Sequence, residues 1–283
     1  MDWIDTHCHL DAHEFGGLAH TVRELAATQG VAKCVLPAVE PGNFDAVRTL
    51  AHAFGDGYCL GIHPLYVAQA SEQALAQLAD ALALHHGDPH LVAVGEIGLD
   101  YFVSELRQPP LRERQMHFFV EQLKLARLHD LPVVLHSRRA VDAVQLALRT
   151  TVGRTGPWHG IAHAFNGSLQ QANGLIGLGL KLGFGGALTY PRALQLRRLA
   201  SELPLSALVL ETDAPDMAPQ WLYVNAEQRA AGLVQSPNSP VELPRIGAEL
   251  AELRGISVAD LAQATCQNAL DALPRLSRLP AAS

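Results

Sequence analysis

With 283 residues, 48% of them hydrophobic and 17% charged, and a net charge of −7, the chain has an ordinary globular composition. That balance excludes a protein that coats duplex nucleic acid through charge alone, which needs a strongly basic surface, and no apolar run approaches the ~18 residues of a membrane span. The opening MDWIDT lacks the charged-then-apolar pattern of a signal peptide, and Cys8, Cys34, Cys59 and Cys266 show no CxxC spacing, so the chain is expected in the cytoplasm with its thiols reduced.

Short apolar runs alternate with longer amphipathic stretches. The runs cover 4–10 (IDTHCHL), 32–39 (AKCVLPAV), 58–63 (YCLGIH), 91–97 (LVAVGEI), 132–136 (PVVLH), 160–165 (GIAHAF), 180–186 (LKLGFGG) and 207–212 (ALVLET). Their near-continuous Val, Ile and Leu suits strands buried on both faces. Between them, 71–86 reads as a helix with Ser71 as its N-cap and Leu75, Leu78 and Leu82 at helical spacing; 111–129 carries Leu111, Phe118, Leu125 and Leu128 on one stripe. The Pro-rich stretch 214–239 predicts an irregular loop after the last strand, and 240–253 and 257–271 predict two closing helices. Eight strand–helix units in succession predict an α/β fold, a (β/α)8 TIM barrel, as one domain over residues 1–283. An open doubly wound sheet is the alternative, but it would usually carry a Gly-rich phosphate loop after its first strand, and none is present.

Ionisable residues recur near the ends of these runs: His7 and His9, His63, Glu96, His136, His163, then Glu211 and Asp213. In a barrel the C-terminal strand ends form one ring around the mouth, where active sites lie. Residues two apart on a strand share a face, so His7 and His9 are expected to point into the barrel together. Each histidine alone reads as an ordinary core residue. Glu96 resists that reading, because a lone buried carboxylate costs several kcal/mol, and five strands ending in ligand types by coincidence is implausible. Four histidines with Glu96 and Asp213 exceed one tetrahedral site and suit two divalent ions (Zn, Mn, Mg or Ni) about 3.5–4 Å apart, sharing a carboxylate and a water. Asp213, at the edge, could take that water's proton and pass it to a leaving group.

Other positions carry weaker signals. Arg138, Arg139 and Arg192 follow the fifth and seventh runs and are candidates for phosphate contacts, and His63 is a candidate substrate contact. The glycines of 182–192 fit either a phosphate approach or tight packing. Trp221 and Tyr223 could stack on a base or anchor the loop. His159 reads as structural, and His52, His85, His86, His90, His117 and His129 as surface residues. Cys8 should point away from the histidine face and not be a ligand, whereas Asp5 shares that face and could orient a ligand.

With these residues placed, DTHCHLD (5–11), GIHP (61–64), VGEIGLDY (94–101), LPVVLHSR (131–138), HAFNGS (163–168) and LETDAP (210–215) together resemble the TatD-type metal-dependent hydrolases of the amidohydrolase-like barrels. LHSRR, GSLQQA, TYPRA and LVLETDAPDM are most similar to the YjjV-type branch. The resemblance implies that His7, His9, Glu96 and Asp213 bind one metal, that Glu96, His136 and His163 bind the other, and that Asp213 is the proton shuttle. Glu96 and Asp213 would then be the catalytic pair. Some family members are 3′–5′ exonucleases or other DNases, which implies a deoxyribonuclease acting on single-stranded DNA ends, expected as a monomer. The alternative keeps the metals and changes the substrate to a small phosphoester, amide or lactone. Ala164 and Asn166 depart from the family's usual Cys and Ser or Thr, and the loop 216–237 is longer than usual.

Overall fold

The eight apolar runs become eight parallel strands that lie side by side in chain order. The structure is a computed structural model in which residues 1–151 and 156–280 are described. The strands are β1 (Trp3–Asp5), β2 (Val31–Pro37), β3 (Gly57–Leu60), β4 (Leu91–Asp100), β5 (Val133–Arg138), β6 (Gly160–Ala162), β7 (Lys181–Phe184) and β8 (Leu208–Leu210). The helices around them are α1 (Ala19–Thr28), α2 (Phe44–Phe54), α3 (Ala74–His85), α4 (Leu111–His129), α5 (Val141–Thr150), α6 (Leu169–Gly177) and α7 (Leu194–Glu202). The short α8 (Ala226–Ala230), α9 (Leu243–Arg254) and α10 (Val258–Ala272) follow β8.

The ring is closed by the segments just past β1 and β8. Thr6 N–H donates to the Leu210 carbonyl (3.0 Å), Asp213 N–H to the His7 carbonyl (2.9 Å) and His9 N–H to the Ala214 carbonyl (2.7 Å). The Asp5 carboxylate reinforces the seam by accepting from the Thr212 N–H and hydroxyl. The result is a nearly closed (β/α)8 barrel.

Several boundaries differ from the sequence pattern. β1 stops at Asp5 because its carboxylate also accepts from the His7 N–H (3.2 Å) and turns the chain. α3 begins three residues past Ser71, which offers its carbonyl rather than its side chain to Ala74 N–H. Helix α6 does have a side-chain cap: Ser168 and Gln171 form a reciprocal capping box. β4 runs on to Asp100, and the extension pairs with the part of β5 that carries His136.

Two apolar layers support the ring. Ile4, Val35, Cys59, Val92, Val134, Ile161 and Val209 meet Ala269, Leu273, Leu276 and Leu279, so the end of α10 and the turn after it plug the N-terminal end of the barrel. A larger cluster, including Cys8, Leu36, Leu60, Leu78, Phe119 and Leu182, fills the space between strands and helices. An eight-stranded barrel leaves just enough interior for side chains, so the plugged end is solid and the C-terminal end is left for the site.

Candidate metal centre

Register between β4 and β5 slips between Val94 and Ile97, and Glu96 lies in that slip. A bulge re-aims a side chain that a regular strand would send elsewhere. The Glu96 carboxylate is turned into the mouth and is only 2% exposed. Oε1 lies 3.3 Å from His63 Nε2, 2.9 Å from His136 Nδ1 and 2.9 Å from His163 Nε2. Oε2 lies 3.2 Å from His7 Nε2 and 3.6 Å from His9 Nε2. Both oxygens of one carboxylate are therefore ringed by imidazoles, and the His7 and His163 rings, stacked at 3.8 Å, join the two sides.

Asp213 completes the Oε2 group. Its Oδ1 is 3.7 Å from both His7 Nε2 and His9 Nε2, and those two nitrogens are 3.2 Å apart. Four donors about 2.1 Å from a central ion, at the corners of a tetrahedron, would be separated by about 3.4 Å. The observed spacings bracket that value, so the donor set fits a zinc-sized cation. It is poorly suited to having none: facing imidazole nitrogens and carboxylate oxygens supply lone pairs and few protons.

The polar groups behind these donors decide which nitrogen is free. His136 Nε2 lies 3.0 Å from Asp100 Oδ2, and Asp100 Oδ1 is held by the N–H groups of Phe102 and Val103. With its proton on Nε2, His136 presents the Nδ1 lone pair to the Glu96 side. His63 is arranged the other way. Its Nδ1 accepts from the Leu65 N–H (3.1 Å), so the neutral ring carries its proton on Nε2 and faces the site as a hydrogen-bond donor. His163 Nδ1 lies 3.5 Å from Glu211 Oε1, and Glu211 is anchored by the Ala164 N–H. Gly183 makes room for that buried carboxylate, since a Cβ there would collide with it.

Electrostatics follow the geometry. Burial alone would raise the Glu96 carboxyl, but His63, His163 and His7 hold it well below the usual range. Burial, then the neighbouring His163, pushes His7 well down, and burial pushes His63 down to about 4. Both rings are therefore neutral near pH 7. His163 is opposed by burial yet held well above its ordinary value by Glu96 and Asp213. Burial lifts Asp213 to about 6 against the pull of His163 and His9. Asp100 also resists burial and stays low, chiefly through its bond to His136.

A cavity of about 1000 Å³ opens over these groups. Four of the five described non-glycine residues with positive φ (Arg139, Ala164, Asp213 and Met217) line it. Backbone held in that sparsely populated region is commonly found at functional sites.

The structure brings His7, His9, His63, Glu96, His136, His163 and Asp213 together, and Arg138 and Arg139 line the same cavity. It does not bring Arg192 there: that side chain is exposed on the turn before α7. Trp221 donates to Glu242 and stacks on Arg245, and Tyr223 sits against Tyr190, so both act as loop anchors. Asp5 does not share the histidine face, since the strand alternation ends with it; its carboxylate lies within 4.8 Å of the Cys8 and Cys34 sulfurs. His90 is buried, its Nδ1 bonded to the Asp56 carbonyl, rather than on the surface. Asp100 is the residue the sequence reading missed. It lies four positions past Glu96 on one strand, and extending the two-residue alternation beyond the apolar run would have found it.

A family model for TatD related DNase matches residues 4–274. An uncharacterized metal-dependent hydrolase, YjjV of Escherichia coli K12, is 42% identical over 268 residues, covering 94% of this chain and 95% of its own. Human deoxyribonuclease TATDN3 is 29% identical over 283 residues, covering 98% of this chain and 96% of its own. The crystal structure of E. coli YjjV matches with a TM-score of 0.84 at 41% identity, covering 96% of this chain and 98% of that one.

Proposed function

From the premise that this chain belongs to the TatD related DNase family, we propose that it hydrolyses phosphodiester bonds at the ends of DNA strands. It is a metal-dependent hydrolase. The observation that carries the reading is Glu96, whose Oε1 lies nearest His63, His136 and His163 and whose Oε2 lies nearest His7 and His9. His7, His9, Glu96 and Asp213 would hold one divalent ion, and Glu96, His136 and His163 the second. Divalent ions bound there would supply Lewis-acid polarisation of a phosphoryl oxygen and a water of lowered pKa.

The chain's own residues do the rest. Asp213 is 15% exposed at its side chain, the most open carboxylate of the set apart from the rim. At the edge of the donor set, it is placed to take the attacking water's proton and release it to the departing oxygen. His63 presents Nε2–H toward the same space and would hydrogen-bond a phosphoryl oxygen without ligating metal. Asp100 and Glu211 hold the His136 and His163 rings in the orientation that frees their inward nitrogens.

The test varies metal and substrate together. Purified protein loaded with zinc, manganese, magnesium or nickel is assayed on single-stranded DNA, p-nitrophenyl phosphomonoesters and phosphodiesters, and carboxyl esters. The reading expects release of mononucleotides, lost in Asp213→Ala. Turnover confined to carboxyl esters or amides would replace the nuclease reading with that of a small-molecule hydrolase.

A further inference from the structure

The rim of the mouth is polarised. Phe102, which follows β4, and Arg138 and Arg139, at the end of β5, line one side of the cavity. Asp11 and Glu14 after β1, Glu40 after β2 and Asp216 after β8 also line it. In an eight-stranded ring in chain order, β4 and β5 stand opposite β8 and β1. The basic and acidic walls therefore face each other across the centre. His13 on the acidic side is already paired with Glu14 (3.2 Å).

The basic side is built and unspent. The Arg138 guanidinium lies 3.7 Å over the Phe102 ring and that of Arg139 4.8 Å from it, although the ring itself is 45% exposed. Stacking on an aromatic face holds a guanidinium in place while leaving its N–H edge free. Among the described residues, neither guanidinium donates a hydrogen bond or has a carboxylate within 4.0 Å. Arg138 is two residues past His136 on β5, so it shares that residue's face about 7 Å farther toward solvent. That is the scale separating neighbouring phosphates in a strand. Arg139, on the same shelf, has a φ of 55°.

We propose that Phe102, Arg138 and Arg139 form a subsite for a second backbone phosphate, next to the one being hydrolysed. The strand leaves the mouth over β4 and β5, and the acidic wall over β8, β1 and β2 repels it from the opposite side. The subsite reads the phosphodiester backbone rather than the bases. It rests on the phosphodiesterase reading above and specifies its substrate: a chain with at least two phosphates.

The test compares the metal-loaded wild type with an Arg138→Gln/Arg139→Asn double variant, Asn being chosen because it tolerates positive φ. The substrates are tetrathymidylate and thymidine 5′-p-nitrophenyl phosphate, which has one phosphate. Loss of charge-assisted phosphate contacts predicts that KM for the tetranucleotide rises about tenfold more than KM for the ester. The log–log salt dependence for the tetranucleotide should also flatten by about one unit. Phe102→Leu, which removes the shelf and keeps both charges, should give a smaller shift in the same direction. Equal effects on the two substrates, or an unchanged salt slope, would overturn the subsite. Should neither substrate be cleaved, the phosphodiesterase reading fails, and fluorescence anisotropy with labelled tetrathymidylate reads the subsite separately. Weaker binding by the double variant supports it; equal binding, or none by the wild type, overturns it.

Discussion

Each end of the barrel holds a buried polar cluster, and the two follow opposite rules. At the plugged end, Arg23 donates to both oxygens of Asp56 (2.6 and 2.8 Å) and to the Val31 and Ala32 carbonyls. Asp56 also accepts from the Cys34 N–H. Donors and acceptors match, and both side chains are 1% exposed. At the open end acceptors predominate. The Nε2 atoms of His7 and His9 face each other at 3.2 Å, and the Glu96 and Asp213 carboxylates face both of them. A polar cluster that only supports the fold closes on itself. One that leaves lone pairs converging on a point is completed by a cation.

The contrast is sharpest in a pair of substitutions. Asp56→Ala leaves the Arg23 charge buried and alone, and should cost about 3–5 kcal/mol of stability in denaturant unfolding. The protein that remains folded should keep its metal and its turnover. Glu96→Ala should do the reverse, cutting turnover by about a thousandfold or more and lowering bound metal, with little loss of cation-free stability. If both variants lost stability and activity alike, the two clusters would not differ in kind.

A smaller effect tests the residues that aim the imidazoles. Asp100→Asn removes the charge that fixes the proton on His136 Nε2. Metal affinity, read by competition with a chelating dye, should fall about 10–100-fold, with global stability nearly unchanged. An unaltered affinity would show that His136 needs no such partner.

Protons should compete with the cations. His163 has a raised pKa in the cation-free protein, so it holds a proton at neutral pH that a metal must displace. Each proton released makes apparent affinity climb by up to about tenfold per pH unit, and it weakens as pH falls. Calorimetric titration with zinc in buffers of different ionisation enthalpy should detect the release; identical heats in all buffers would contradict it. The smallest effect belongs to Cys8, which lies between two proposed ligands yet faces the outer apolar layer. Cys8→Ala should leave metal content unchanged and cost only about 1 kcal/mol for the lost packing; lowered metal content would contradict that placement.

These cases also show where sequence is informative. Periodic apolar runs mark which stretches are buried, so eight strands and the polar ring at their ends were legible without coordinates. Register is a backbone property and leaves no hydrophobic signature. The slip that aims Glu96 was therefore out of reach, whereas Asp100 needed only the strand alternation carried four residues past Glu96. The state of His63 was also out of reach, because it depends on a backbone N–H two residues on. Arg138 and Arg192 read alike as basic residues after strands. Only Arg138 sits on a strand face that continues from a site residue, and only it reaches the cavity.

Glu96 stands between the imidazoles at the open end of the barrel, placed to serve two cations at once. Anomalous diffraction from crystals grown with manganese tests it directly. Two peaks about 3.5–4 Å apart are expected, one on each side of the Glu96 carboxylate. The first should be ringed by His7, His9 and Asp213, and the second by His136 and His163. A single peak bound by only one Glu96 oxygen, or density that Glu96 does not touch, would contradict it.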